Sequence, residues 1–350
     1  MDTDEGPRTL AERVVQDLGG AFAIGLARLG DQLGLFKALA AHGPVTSEEL
    51  ARWTGLHERY VREWLNAMVA SRYLEHHPGR ATYAMTAEQA AVLADEGGRI
   101  FAAGGFTFAL ESLALAPRLA TAFRHGGGIA FDELPSAIPA AIDRMHRPWF
   151  EHLLVQEWLA GVPGLTERLA RGARVLDVGC GLGRSTVAMA RAFPASTFLG
   201  IDPHAPSIQH AHESASEAHL VNVSFAATPV DALDADEFDL IVAIDCVHDM
   251  VDPVGALRAM RQLLSLGGAL FWSEPTGSRE PLENRNPQAR LRASLSPFHC
   301  LTVSMAADGA ALGTIIGEAG ARELAAQAGF PRFEKLPIPS PAQQFFLLTA

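Results

Sequence analysis

The stretch Val175-Leu-Asp-Val-Gly-Cys-Gly-Leu-Gly183 leaves this chain few folds to choose from. A short apolar run ends in three glycines at alternate positions, and Arg184–Phe193 continues with helical spacing. Glycines at such a turn let the backbone reach conformations closed to other residues and let a ligand approach it closely. The pattern downstream agrees. Arg174–Val178, Thr197–Ile201, Val221–Ala226, Leu240–Ile244 and Gly268–Trp272 read as strands, with helices over Ala205–Ala218 and Val254–Leu264. Such alternation predicts an α/β fold with a parallel, doubly wound, Rossmann-like sheet. The end departs from it. A helix over Ala319–Ala328 precedes two close strands, Phe333–Leu336 and Phe345–Leu348, which predicts a terminal antiparallel strand.

The first 98 residues follow another rhythm. Leu10 to Ala41 carries apolar residues at helical spacing, broken by glycines. Thr46 or Ser47 can cap a helix through Leu50, and His57–Ser71 is a second helix with Val61, Leu65, Met68 and Val69 on its apolar side. Tyr73-Leu-Glu75 and Tyr83-Ala-Met85 flank His77-Pro-Gly-Arg80, a hairpin signal. Helix, turn, helix, hairpin is a winged-helix pattern. Either its second helix binds DNA, or the unit is a dimerisation module. Residues 1–98 hold 14 acidic against 9 basic side chains, so the electrostatic term for DNA is missing and dimerisation is favoured. We divide the chain into this winged-helix domain (1–98), a helical bridge that covers the active site (99–172), and the sheet domain (173–350) with a substrate-side insertion at 276–310.

Composition narrows the classes further. With 48% apolar residues the chain can fill a core, and its net charge of −12 argues against a nucleic-acid surface. No apolar run approaches the roughly 20 residues that span a bilayer. The acidic N-terminus lacks a secretion pattern, so a cytoplasmic protein is expected. Three scattered cysteines, Cys180, Cys246 and Cys300, form neither a disulfide framework nor a zinc ribbon.

Asp177 lies two residues before the first glycine, inside the strand. A carboxylate there would repel a pyrophosphate, but it suits the cationic amino-acid end of S-adenosylmethionine (SAM). Asp202 ends the second strand, where an acid can accept both ribose hydroxyls. Through VLDVGCGLG, FLGIDPH and LLSLGGALFWSEP, residues 174–275 resemble class I SAM-dependent methyltransferases. The front of the chain is similar to that of bacterial members that form homodimers through a winged helix. The resemblance implies that Asp177, Gly179 and Gly181 line the methionine end and Asp202 the ribose. Such enzymes often carry an acid after the third strand to meet the adenine amine. Here that stretch reads Ala226-Ala-Thr-Pro-Val-Asp231, and we take Thr228 as the adenine contact. Asp245, at the head of the next loop, joins the cofactor residues.

The segment Asp245-Cys-Val-His248-Asp249-Met-Val-Asp-Pro253 ends the fourth strand, the edge where open α/β sheets bind ligands. His248 there is a candidate general base, since imidazole titrates near working pH. It is equally a candidate metal ligand if His299, in Pro297-Phe-His-Cys300, folds back toward it. Two histidines and a carboxylate suit Zn2+ or Fe2+. VHDMVDP and LSPFHCLTVSMA resemble the metal-dependent bacterial α-keto acid β-carbon methyltransferases. That resemblance implies His248, His299 and Asp249 as metal ligands and catalytic residues, and metal-assisted C-methylation of a small α-keto acid. The alternatives are O- or N-methylation of a small molecule with His248 as base, and a SAM-binding transcriptional regulator.

Overall fold

A computed structural model describes residues 7–349, and the acidic residues 1–6 lie outside the described part. The chain forms two compact units, residues 1–110 and 111–350. The division therefore falls inside the bridge expected at 99–172, most of which belongs with the sheet.

In the first unit, the helical stretch expected at 10–41 is two helices, Pro7–Gln32 and Leu35–His42. Thr46 caps the helix Ser47–Thr54 in a reciprocal pair with Glu49, and Glu58–Ala70 follows. β1 (Glu75–His77) and β2 (Thr82–Ala84) pair antiparallel as the wing. Phe36, Leu39, Leu50, Trp64, Leu65 and Met68 fill the core. The long helix is different. Leu10, Val14, Leu18 and Phe22 recur at four-residue spacing on it and are 49–77% exposed.

The second unit is built on a seven-stranded sheet. In chain order its strands are β3 (Arg174–Val178), β4 (Thr197–Ile201), β5 (Val223–Ala226), β6 (Phe238–Ile244), β7 (Leu264–Pro275), β8 (Arg332–Leu336) and β9 (Gln343–Thr349). They lie side by side as β5-β4-β3-β6-β7-β9-β8. The first five are parallel, and β9 runs antiparallel between β7 and β8. The expected sheet is thus present, with β7 longer than the sequence indicated. Both faces are covered, so the central strands are apolar at nearly every position. Alternate residues then enter different cores. Leu176, Ile241 and Trp272 pack on one face, and Val175, Val242 and Phe271 on the other.

Chain direction places the chemistry. Asp177 near the end of β3, Asp202 after β4, Asp245 after β6 and Glu274 near the end of β7 all come to the carboxyl edge. Two further elements reach that edge. One is the helix Ala137–Pro148, which runs on into an eleven-residue π-helix at Trp149–Leu159. The other is the insertion after β7, which holds the helices Pro287–Leu295 and Cys300–Ala306.

Candidate active site

The glycine turn forms the floor of a cleft. Gly179, Gly181 and Gly183 all have positive φ, of 70°, 53° and 81°. At Gly179 a Cβ would sit 2.8 Å from Cβ of Cys246, so glycine is required there on two counts. Asp177 is 2% exposed, and its Oδ2 accepts hydrogen bonds from the Ser185 and Thr186 hydroxyls, both at 2.6 Å. Burial outweighs those bonds and pushes its carboxyl up to about 6. Asp202 accepts from the backbone N–H groups of Gly181 at 3.1 Å and His204 at 2.9 Å. Burial raises its carboxyl too.

The cavity above this floor is lined by Asp177, Gly179, Gly181, Asp202 and Asp245 together with Phe131, Asp143, His146, Phe150 and Arg184. Five of the six expected cofactor residues thus meet in one place. Thr228 does not join them. It is half-buried, its hydroxyl donates to the Pro229 carbonyl and its N–H to that of Ala226. Its own loop therefore engages both of its donors. Arg184, just past the glycines, clasps Asp143 and bonds Glu151 at 2.9 Å, tying the helix Ala137–Pro148 to the glycine turn.

Beyond Asp245 the edge becomes a buried polar cluster. His248 is 2% exposed and Glu274 fully buried. The Nδ1–H of His248 donates to Glu274 Oε2 at 2.5 Å, and the indole N–H of Trp272 donates to Oε1 at 2.7 Å. The other ring nitrogen, Nε2, faces Asp249 Oδ1 at 3.3 Å. Burial alone would lower His248, but Asp249 and Glu274 outweigh it and hold the ring's proton well above the usual histidine range. Ligand atoms of His248, Asp249 and Cys300 lie within 4.8 Å of one another. The expected metal trio named His299 in place of Cys300. His299 is buried beside the cluster, in edge contact with Phe131 at 6.2 Å, but outside that group. The cause is local, because His299 is the residue before the helix Cys300–Ala306 and Cys300 turns inward from its first position. Burial pushes the Cys300 thiol up to about 11.

Sequence reasoning missed four residues here: Glu274, Arg292, His146 and Gln343. Asp245 is their hub, buried and in left-handed backbone at φ 57°. Its Oδ2 lies 3.4 Å from His146 Nε2 and 4.0 Å from Arg292 Nη1. Burial would raise the Asp245 carboxyl, but Arg292, His146 and His248 outweigh it and hold it low. One signal was present in the sequence. Glu274 ends an apolar run, Ala269-Leu-Phe-Trp-Ser, at the edge where ligands bind.

Comparison with known proteins agrees with this architecture. Residues 20–95 match the Rv2258c-like winged HTH domain, and residues 169–320 match a methyltransferase domain. The chain is 32% identical over 148 residues to a ubiquinone biosynthesis O-methyltransferase of Bordetella avium, which is 41% of this chain and 55% of that one. It is 29% identical over 133 residues to the protein of the same name in Acinetobacter baylyi, covering 37% and 52%. The chain thus spans about half the length of the curated relatives it matches. Among solved structures, human N-acetylserotonin methyltransferase in complex with SAM superposes with a TM-score of 0.74 at 17% identity, covering 100% of this chain and 99% of that one. An O-methyltransferase family protein of Burkholderia thailandensis gives 0.71 at 18% identity, with 97% of each chain covered. These likenesses extend the fold to the whole chain. The chain thus carries a methyltransferase domain behind an Rv2258c-like winged helix-turn-helix domain.

Proposed function

We propose that the chain methylates a hydroxyl on a small molecule, with SAM as donor and His248 as general base. The Glu274–His248 pair carries this reading. A buried carboxylate on Nδ1 fixes the ring's tautomer and leaves Nε2, which faces Asp249 at the carboxyl edge of the sheet, to act as base. The acceptor hydroxyl takes the place beside Nε2, and the ring acts after its Nε2 proton has passed by way of the Asp249 carboxylate to solvent. It removes the hydroxyl proton, the oxygen's electron pair bonds to the methyl carbon, and the carbon–sulfur pair returns to sulfur. The relatives named O-methyltransferases support this choice over C-methylation. Label transfer from SAM to a panel of phenols and alcohols tests it. His248→Ala should lower kcat by about 10²–10⁴-fold, the usual weight of a positioned base. A full rate in that variant would overturn the reading.

One observation favours a second reading. His248 Nε2, the Asp249 carboxylate and the Cys300 thiol converge while Nδ1 rests on a carboxylate, the pattern of a metal-bound histidine. Those three residues would hold Zn2+ or Fe2+, with His299 beside them. A divalent ion there supplies Lewis acidity toward a keto oxygen, which suits β-carbon methylation of an α-keto acid. Metal analysis of the purified protein separates the readings, since the O-methylation reading expects full activity after chelation.

The exposed stripe Leu10, Val14, Leu18 and Phe22 supports homodimerisation through the first unit. Among the described residues no helix is long and apolar enough to cross a membrane.

A further inference from the structure

We propose that Arg292 anchors a carboxylate on the methyl acceptor, so that the acceptors are small organic acids carrying their reactive group elsewhere in the molecule. Arg292 stands on the helix Pro287–Leu295 and is only 8% exposed. A buried guanidinium normally spends its five donors on hydrogen bonds, because an unmet donor in a dry site is costly. This one donates none. Its Nε is buried without a partner, and its Nη1 stops 4.0 Å from Asp245 Oδ2, too far for a hydrogen bond. Its carbon centre lies 5.9 Å from the Trp149 ring centroid, which restrains the fork against an aromatic face. Arg168 shows the contrast: its fork reaches the Asp239 carboxylate at 2.5 Å and the Gly267 carbonyl at 2.9 Å.

The surroundings complete a receptor. The Gln343 amide adjoins Asp245 and helps hold its carboxyl low, while its buried Nε2 makes no well-aligned hydrogen bond. Burial lowers His146, and its ring stacks on the same Trp149 with centroids 4.3 Å apart. A planar carboxylate can take the guanidinium fork in a bidentate pair and leave an oxygen for an amide donor. Charge limits the class. The Asp245 carboxylate already stands 4.0 Å from the one guanidinium, so a dianion such as a phosphate monoester brings more negative charge than the fork can offset. A monoanion brings one negative charge beside a sulfonium that brings one positive. Asp245 opposes Arg292 at a distance that leaves the fork unsaturated. The acid would therefore bind between the cofactor cavity, which Asp245 and His146 line, and the His248 ring.

This assignment rests on the methyl-transfer reading only for the fate of the bound acid, and the test separates the two. Hydroxybenzoates and hydroxyphenylacetates are each paired with their primary amides, which keep shape and lose charge. Binding to the full chain loaded with sinefungin is measured by calorimetry, and label transfer from SAM is measured in parallel. The wild type should bind the better acids roughly ten-fold or more tighter than their amides, the usual weight of a charge-assisted bidentate pair. Arg292→Met should bring each acid and amide within about two-fold, and Arg292→Lys should restore part of the preference. The loss should fall on KM more than kcat, as for an interaction made equally in ground and transition states. No acid preference in the wild type, including no acid binding at all, overturns the proposal. So does a preference that survives Arg292→Met. If the Met variant fails to bind sinefungin and is misfolded, the wild-type ratio and the Lys variant decide. Arg292-dependent acid binding without label transfer would sink the methyl-transfer reading and leave this one standing. Equal methylation of acids and amides would do the reverse.

Discussion

On the reading that Asp177 meets the cofactor's ammonium, this one buried carboxyl couples cofactor affinity to pH. Its folded value of about 6 lies above its ordinary 3.8, with burial as the cause. The folded state therefore holds the proton more tightly than the unfolded chain, and this group's contribution to stability falls as pH rises from about 4 through 6. A cationic ammonium beside it favours the ionised form. SAM affinity should accordingly weaken as pH drops below about 6, which calorimetry between pH 5 and 7.5 would read. Asp177→Asn should lower SAM affinity by about ten-fold or more while its thermal midpoint at pH 7 stays level or rises. A fall in both would mean that the carboxylate serves mainly the fold. Gly179 gives a sharper case. Gly179→Ala places a methyl 2.8 Å from Cys246 and forces φ 70° on alanine, so cofactor binding should be lost at a cost in stability of about 1–3 kcal/mol.

At the level of elements, the helix Pro7–Gln32 is the test of assembly. Leu18→Glu with Phe22→Glu removes the exposed stripe from a face that touches little within its own unit. Sedimentation should then show monomers with the folded helix content retained, while the unaltered chain sediments as a dimer. Elements also mark how far the sequence could be read. The alternation of strands and helices, the glycine turn and the wing were legible because each is local: a period, a glycine, a cap. His248 and Asp249 were legible because they follow an apolar strand directly. Arg292 was not, because nothing local distinguishes Leu291-Arg292-Ala293 from an exposed helix face; only its seat near Asp245 and Trp149 does. That Cys300 joins His248 and Asp249 was out of reach for a similar reason, since one residue along a helix start rotates a side chain by about 100°. The π-helix at Trp149–Leu159 left no sequence signal that we recognise, yet it aims Phe150 at the cofactor cavity and Trp149 at His146.

For the whole molecule, charge decides what the winged helix can do. The net charge is −12, and the arginines of its second helix are engaged on that helix, Arg62 with Glu58 at 2.6 Å and Arg59 with Glu63. DNA binding needs several free cations on one face. Duplex DNA at 0.1 M salt should therefore show no retarded species with or without SAM, and a specific shift would reopen the regulatory alternative. The sheet carries a separate consequence at its margin. Among the described residues β8 pairs only with β9, so its other side offers unmet backbone groups. That strand reads Arg332-Phe-Glu-Lys-Leu336, with Arg332, Glu334 and Lys335 exposed along it. Charges on an outer strand discourage a second chain from adding to the ladder. The same three side chains thus act as solubility guards, and replacing Glu334 and Lys335 with valine should leave turnover intact while concentrated samples grow fibrillar or turbid on storage.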